Sequence, residues 1–142
     1  MENKIDFEYV KNYIAQHDQF GKGLNIKIEE IDLGYAKTSM ALEPIHLNSA
    51  NVAHGGAIFA LVDLALAVAA STYGKLALTA AASISYIAAG TKGPITAVAR
   101  ELSNTRRLGT YEVKVTDGDG QVIAIAQATM YRKSQDYPPK ES

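Results

Sequence analysis

The sequence predicts an α+β domain in which an antiparallel sheet of about six strands wraps around one long buried helix. Three observations carry this. Residues 57–71 are apolar on nearly every face, with Ile58, Phe59, Leu61, Val62, Leu64, Leu66, Val68 and six alanines, and a helix apolar all round is buried all round. Segments 24–31 and 111–116 alternate apolar with polar residues, the pattern of strands with one wet face. The strands after the helix are separated by short turns rich in Gly, Pro and Asp, which join antiparallel neighbours. In a chain of 142 residues, a curved sheet is what can surround such a helix.

Composition narrows the function. The length is that of one domain. Fourteen Lys and Arg against 15 Asp and Glu give a net charge of −1, so there is no general pull toward nucleic acid or an anionic membrane. The absence of cysteine excludes disulfides, thiolate nucleophiles and Cys-based zinc sites. The longest apolar run, residues 57–70, is interrupted by Asp63 and falls short of the roughly 20 residues a bilayer needs. The charged start, Met1-Glu2-Asn3-Lys4, lacks a signal-peptide pattern. The expectation is a soluble cytoplasmic protein with no membrane or nucleic-acid partner.

In chain order, residues 5–15 carry Phe7, Val10, Tyr13 and Ile14 at helical spacing behind Asp6, a fitting cap. Residues 1–20 therefore read as an N-terminal helical segment, ended by Gly21-Lys22-Gly23. The domain proper spans 21–133. It opens with strand 24–31, a turn at Gly34 and strand 35–42, stopped by Pro44. A loop of small polar residues over 45–53 leads to Gly55-Gly56 and the buried helix. Strands follow at 76–88, 95–105, 111–116 and 122–131, with Gly90-Thr91-Lys92-Gly93-Pro94 and Asp117-Gly118-Asp119-Gly120 as turns. Residues 134–142, with Pro138-Pro139 and several charges, read as a flexible tail.

The chemistry centres on Asp63, the one charge in an apolar helix. A buried carboxylate is costly unless paired, hydrogen-bonded or protonated. Either a distant base pairs with it, or it is a catalytic carboxylate that apolar surroundings tune for general-base work. His54-Gly55-Gly56 opens the same helix. Free N–H groups at a helix N-terminus stabilise negative charge, and glycine admits a ligand close to the backbone, so this is either an oxyanion hole or only a turn. Asn48 either donates to a substrate carbonyl or makes an Asx turn. Thr79 either holds a water or simply suits a strand. His46, His54 and Asp63 have no metal-ligand spacing, and no metal is expected. Asp117-Gly118-Asp119-Gly120 lacks the Glu that a calcium loop needs, since position 12 is Ala128. Lys92, Arg100, Arg106 and Arg107 form a small basic set that either meets the phosphates of a small ligand or is solvated.

The run from His46 through Asn48, His54-Gly55-Gly56 and on to Asp63 closely resembles the signature of the hotdog-fold thioesterases, above all their PaaI-like, phenylacetate-degradation branch. Arg106-Arg107-Leu108-Gly109-Thr110-Tyr111 and the Asp-Gly turn after it resemble the same branch, over about residues 20–133. The resemblance implies a hotdog fold and hydrolysis of acyl-coenzyme A (acyl-CoA) thioesters, with CoA arriving as part of the substrate and no separate cofactor. It implies that the Gly55 N–H and Asn48 hold the thioester carbonyl, and that Asp63 activates water or attacks directly. Thr79 would orient the water and His54 would lie near the leaving thiolate. Gly56, Ser83, Lys92, Arg106 and Arg107 are the expected substrate and CoA contacts. Many relatives carry Asp or Asn shortly after the Thr79 position, whereas Ala80-Ala81-Ala82-Ser83 is small and nearly apolar here. A non-catalytic acyl-thioester-binding module is the alternative, in which Asp63 would have no task. Gly55 and Asp63 are eight residues apart, about 12 Å along a helix, too far to reach one carbon together. Two antiparallel helices across a two-fold axis would bring Gly55 of one copy to Asp63 of the other. The family implied here does build dimers, often paired into tetramers.

Overall fold

A computed structural model describes residues 4–140. The first three residues of the expected N-terminal segment and the last two of the expected tail lie outside the described residues. Helix α1, Phe7–His17, is capped by Asp6, whose side chain accepts the Tyr9 N–H, and it buries Val10 and Ile14. Gly21-Lys22-Gly23 does not simply break the chain, as expected from sequence. It lies in a short helix, α2, Gln19–Gly23. A side chain at buried Gly21 would meet the Asp18 carboxylate, which would have to swing aside. Leu24 and Asn25 finish that turn, with backbone bonds back to Phe20 and Lys22. Strand β1 therefore starts only at Lys27 and runs Lys27–Asp32. Strand β2 is Tyr35–Met40, reached through Gly34 at φ +64°.

Helix α3 spans Gly55–Ser71. It is followed by β3, Lys75–Tyr86, β4, Ile95–Asn104, β5, Leu108–Thr116, and β6, Val122–Asp136. All pairings are antiparallel, in the order β1-β2-β4-β5-β6-β3. The sheet presents Ala97, Ala99, Ala124, Ala126 and Ala128 as buried positions. Small residues there let α3 sit close, with Leu61, Val62, Ala65, Leu66 and Val68 fully buried. The Thr38 hydroxyl donates to the Leu61 carbonyl at 2.9 Å and so pins the helix to β2.

Three sequence expectations are corrected. Strand β5 begins at Leu108, before the clean alternation starts. Strand β6 continues to Asp136, where Lys75 pairs with the carboxylate, and the Tyr137 ring meets Tyr13 edge-on at 5.7 Å. Residues 134–137 thus belong to the fold rather than to a flexible tail. Finally, α3 is not buried on every side. Gly56 and Asp63 are exposed and Phe59, Ala60 and Ala67 half-buried, a stripe at helical spacing along one face.

The two sheet edges differ. β1 carries Lys27, Glu29, Glu30 and Asp32 and a bulge, devices that discourage pairing with another strand. β3 has no charged residue from 76 to 86 and is exposed from Leu78 through Ser83.

Candidate active site

Two groups of the expected site residues form on each chain. The first lies midway along α3. The Thr79 hydroxyl donates to Asp63 Oδ1 at 3.0 Å, with Met130 Sδ as an alternative acceptor at 3.3 Å. A register shift between Thr79 and Ala81 is a bulge in β3, and bulges re-aim side chains beside active sites. Asp63 is exposed in the single chain, so the burial expected to tune it is not provided by its own chain. It lies on a cleft of about 570 Å³ bounded by the open stripe of α3, the start of β3, and α1–α2. Gly56 lines this cleft.

The second group lies at the start of α3. His54 is the N-cap, its Nδ1 accepting the Gly56 N–H at 2.8 Å. The neutral ring therefore carries its proton on Nε2, leaving a donor free to face a ligand. Gly55 is the first helical residue, and among the described residues its N–H has no acceptor. Asn48 Oδ1 accepts the N–H groups of Ala50 at 2.9 Å and Val52 at 3.3 Å. Both readings of Asn48 are thus compatible: Oδ1 makes the Asx turn, and the turn holds Nδ2 ready to donate. Asn48, Gly55 and Tyr86 line one shallow depression, separate from the Asp63 cleft.

Two residues support the site, Tyr86, which escaped the sequence reading, and His46, which that reading weighed only as a metal ligand. The Tyr86 hydroxyl donates to the Gly55 carbonyl at 2.9 Å, and a side chain at Gly55 would press on the Tyr86 ring at 3.3 Å. Tyr86 thereby fixes the backbone that presents the Gly55 N–H. His46 is fully buried. Its Nδ1 accepts the Glu43 N–H at 3.0 Å, and its Nε2 bonds the Leu24 carbonyl at 2.6 Å. With both nitrogens engaged it holds the loop in place and is no metal ligand. The only sequence sign was a histidine in a loop otherwise rich in small polar residues.

The remaining expected contacts do not gather. Ser83 pairs with Gln127, between the Ala82–Ala128 and Ile84–Ala126 pairs. Because Ala126 and Ala128 face α3, Ser83 points to the opposite face of the sheet, away from Asp63. Lys92 is ion-paired to Asp119 at 2.8 Å before β4, whereas Arg106 and Arg107 follow β4. Ten residues of strand separate them by about 30 Å, and Arg100 lies over the Tyr35 ring at 4.9 Å. The basic set is therefore not one cluster.

Comparison with known proteins accords with this geometry. The family model described as "Thioesterase superfamily" matches residues 50–124, and the chain belongs to that family. A protein of Archaeoglobus fulgidus named as an esterase is 41% identical over 133 residues, covering 93% of this chain and 86% of that one. The acyl-coenzyme A thioesterase PaaI of Escherichia coli is 28% identical over 82% of this chain and 84% of its own. The solved structure of E. coli PaaI superposes with a TM-score of 0.87 at 25% identity, covering 92% of this chain and 95% of that one. A Streptococcus mutans protein, smu.793, solved bound to acetyl CoA, matches with a TM-score of 0.74 at 26% identity, covering 79% and 91%. The fold is the hotdog fold, and the protein is a PaaI-like thioesterase. Among the described residues no helix is long and apolar enough to cross a membrane.

Proposed function

We propose that the protein hydrolyses acyl-CoA thioesters at a site completed by two copies of the chain. One observation carries this reading: each chain holds an Asp63–Thr79 pair and, in a separate depression, Asn48 with the free Gly55 N–H. Neither half suffices alone. The first can generate a nucleophile, and the second can hold a carbonyl oxygen as it becomes negative. Pairing two α3 helices antiparallel would set one copy's Gly55 beside the other's Asp63. The long, uncharged, unpaired edge of β3 supports such a dimer, because two β3 strands can join into one continuous sheet. Two dimers would then make the tetramer.

In this reading the Asp63 carboxylate takes a proton from water held by the Thr79 hydroxyl. The water oxygen bonds to the thioester carbon, and the carbonyl electrons move to oxygen, where the Gly55 N–H and Asn48 Nδ2 donate. The C–S bond then breaks, the electron pair leaves with sulfur, and the thiolate takes up a proton. In the variant route Asp63 attacks the carbon itself and water cleaves the resulting anhydride. His54, with its proton on Nε2, stands at the N-terminus of α3 to donate to the departing sulfur. Arg106 and Arg107 are exposed and, among the described residues, in no ion pair, so they are the groups offered to the CoA phosphates. Lys92, held by Asp119, is not. Such an enzyme would work in the cytoplasm, where CoA esters are handled.

The test is free-thiol release from acetyl-, hexanoyl-, palmitoyl- and phenylacetyl-CoA, with wild type beside Asp63→Asn. Turnover abolished by Asp63→Asn in a folded protein supports the reading. Saturable binding without turnover on any thioester would make the chain a binding module instead.

A further inference from the structure

The cleft does not stop at the Asp63–Thr79 pair. From Asp63 the cleft follows α3 past half-buried Ala67 to buried Ser71, about 12 Å further along the helix axis, and β3 runs back from Thr79 to Leu76 on the opposite wall. Ile14 of α1 and Tyr137 close the far end. This extension is mostly apolar, with His17 and Asp18 as the polar side chains of its α1–α2 wall. Ser71 spends its hydroxyl on the Ala67 carbonyl at 2.6 Å, leaving a methylene wall. Ala67 is the smallest residue that keeps a helix here, and it leaves the groove open. Tyr137 is itself held in place, edge-on to Tyr13, with burial pushing its phenol up from its ordinary pKa. Phe20 of α2 stands at the rim with 69% of its surface exposed. At the other end of the cleft lies Gly56, whose N–H is held by His54 Nδ1.

We infer that the groove from Asp63 to Tyr137 is the acyl-binding site, and that α1–α2 together with Tyr137, just after β6, set which acyl groups are accepted. This rests on the thioesterase reading above and adds to it the substrate class: an apolar acyl group of several carbons. A carboxylate at the acyl end is disfavoured, because the acidic groups Asp18 and Asp63 line the cleft, while His17, the basic side chain there, is turned to the Tyr13 carbonyl and stacked on the Tyr13 ring. The residues once expected to be outside the working domain, in the N-terminal helix and the tail, become specificity determinants. Phe20 covers the bound chain and gains apolar contact in doing so.

The experiment compares kcat/KM on acetyl-CoA, octanoyl-CoA and an octanoyl analogue ending in a carboxylate, for wild type, Ala67→Phe, Tyr137→Ala and Phe20→Ala. Wild type is expected to favour octanoyl-CoA over both others by about tenfold or more, as each buried methylene adds to binding. Ala67→Phe fills the groove and should lower kcat/KM on octanoyl-CoA about tenfold more than on acetyl-CoA. Phe20→Ala should raise KM for octanoyl-CoA more than for acetyl-CoA, and Tyr137→Ala, which opens the far end, should shift kcat/KM on octanoyl-CoA more than on acetyl-CoA. If Ala67→Phe fails to fold, the Phe20 and Tyr137 variants decide. Equal effects on acetyl- and octanoyl-CoA in those variants, or none on either, would overturn the assignment. Failure of the thioesterase reading is distinguishable, since no substrate would then turn over. In that case calorimetry of octanoyl-CoA against free CoA on the same variants still decides whether the groove takes the acyl chain.

Discussion

Replacing Thr79 with valine removes one hydroxyl and keeps the shape of the side chain. The bond it removes is the 3.0 Å donation to Asp63 Oδ1, which in the proposed reaction also orients the attacking water. A hydrogen bond to an ionised group contributes about 1.5–3 kcal/mol, and each 1.36 kcal/mol in a barrier is tenfold in rate. If that contribution is present in the transition state, kcat falls by about 10- to 150-fold. The upper end applies where substrate and partner exclude water from the pair. KM should change little, because Thr79 is assigned to the water and not to the acyl-CoA. Thr79 is exposed in the chain, so stability should stay within about 0.5 kcal/mol. The assay is thiol release at saturating substrate, with thermal melts alongside. Thr79→Ser, which retains the hydroxyl, should recover most of the lost rate. A Thr79→Val enzyme with kcat within about threefold of wild type would refute the assignment. So would a serine variant as slow as the valine one.

Other consequences follow from the same geometry. Ala82→Lys puts a charge on the bare edge strand β3 and, under the proposed dimer, should leave a monomer without turnover, read by light scattering beside the assay. An active monomer would contradict the shared site. His46→Ala leaves a cavity and strips partners from the Leu24 carbonyl and the Glu43 N–H, costing about 2–5 kcal/mol, seen as a Tm lowered by roughly 5–15 °C. Tyr111 is fully buried, its hydroxyl without a partner in bonding geometry among the described residues, and burial pushes its phenol up to about 12. Tyr111→Phe should therefore be neutral or stabilising at pH 7. Because the folded pKa lies above the unfolded value near 10, the neutral phenol's contribution is whole below pH 10 and is lost as pH climbs toward 12. Denaturant titrations at pH 8 and 11 should show wild type losing more stability than Tyr111→Phe, and parallel losses would contradict this.

Much of this was legible in the sequence because local rules and the fold agree. Asp6 caps α1 as its position suggests. The all-round apolar pattern of 57–71 marked the central helix, and the family resemblance carried by Asn48, His54-Gly55-Gly56 and Asp63 marked the candidate site. What was hidden depends on the faces of elements and on distant neighbours. Periodicity shows that α3 is apolar but not that the stripe from Gly56 to Ala67 is left uncovered by its own chain. The small residues of β3 gave no hint that it is an edge, since that is fixed by its pairing with β6 alone. The Tyr86 contact with Gly55 spans 31 residues and leaves no local trace. Lys92 and Arg106 looked like neighbours because both flank one strand, and that same strand holds them apart.

The shared site is the central claim, and subunit mixing tests it most directly. Asn48→Ala and Asp63→Asn each break one half, so each pure variant should be inactive. After exchange at equal concentrations about half the dimers are mixed, and each mixed dimer has one intact site of two. The account predicts a return of about one quarter of wild-type activity. No recovery, with exchange verified by mass spectrometry, would mean that each chain carries a whole site of its own.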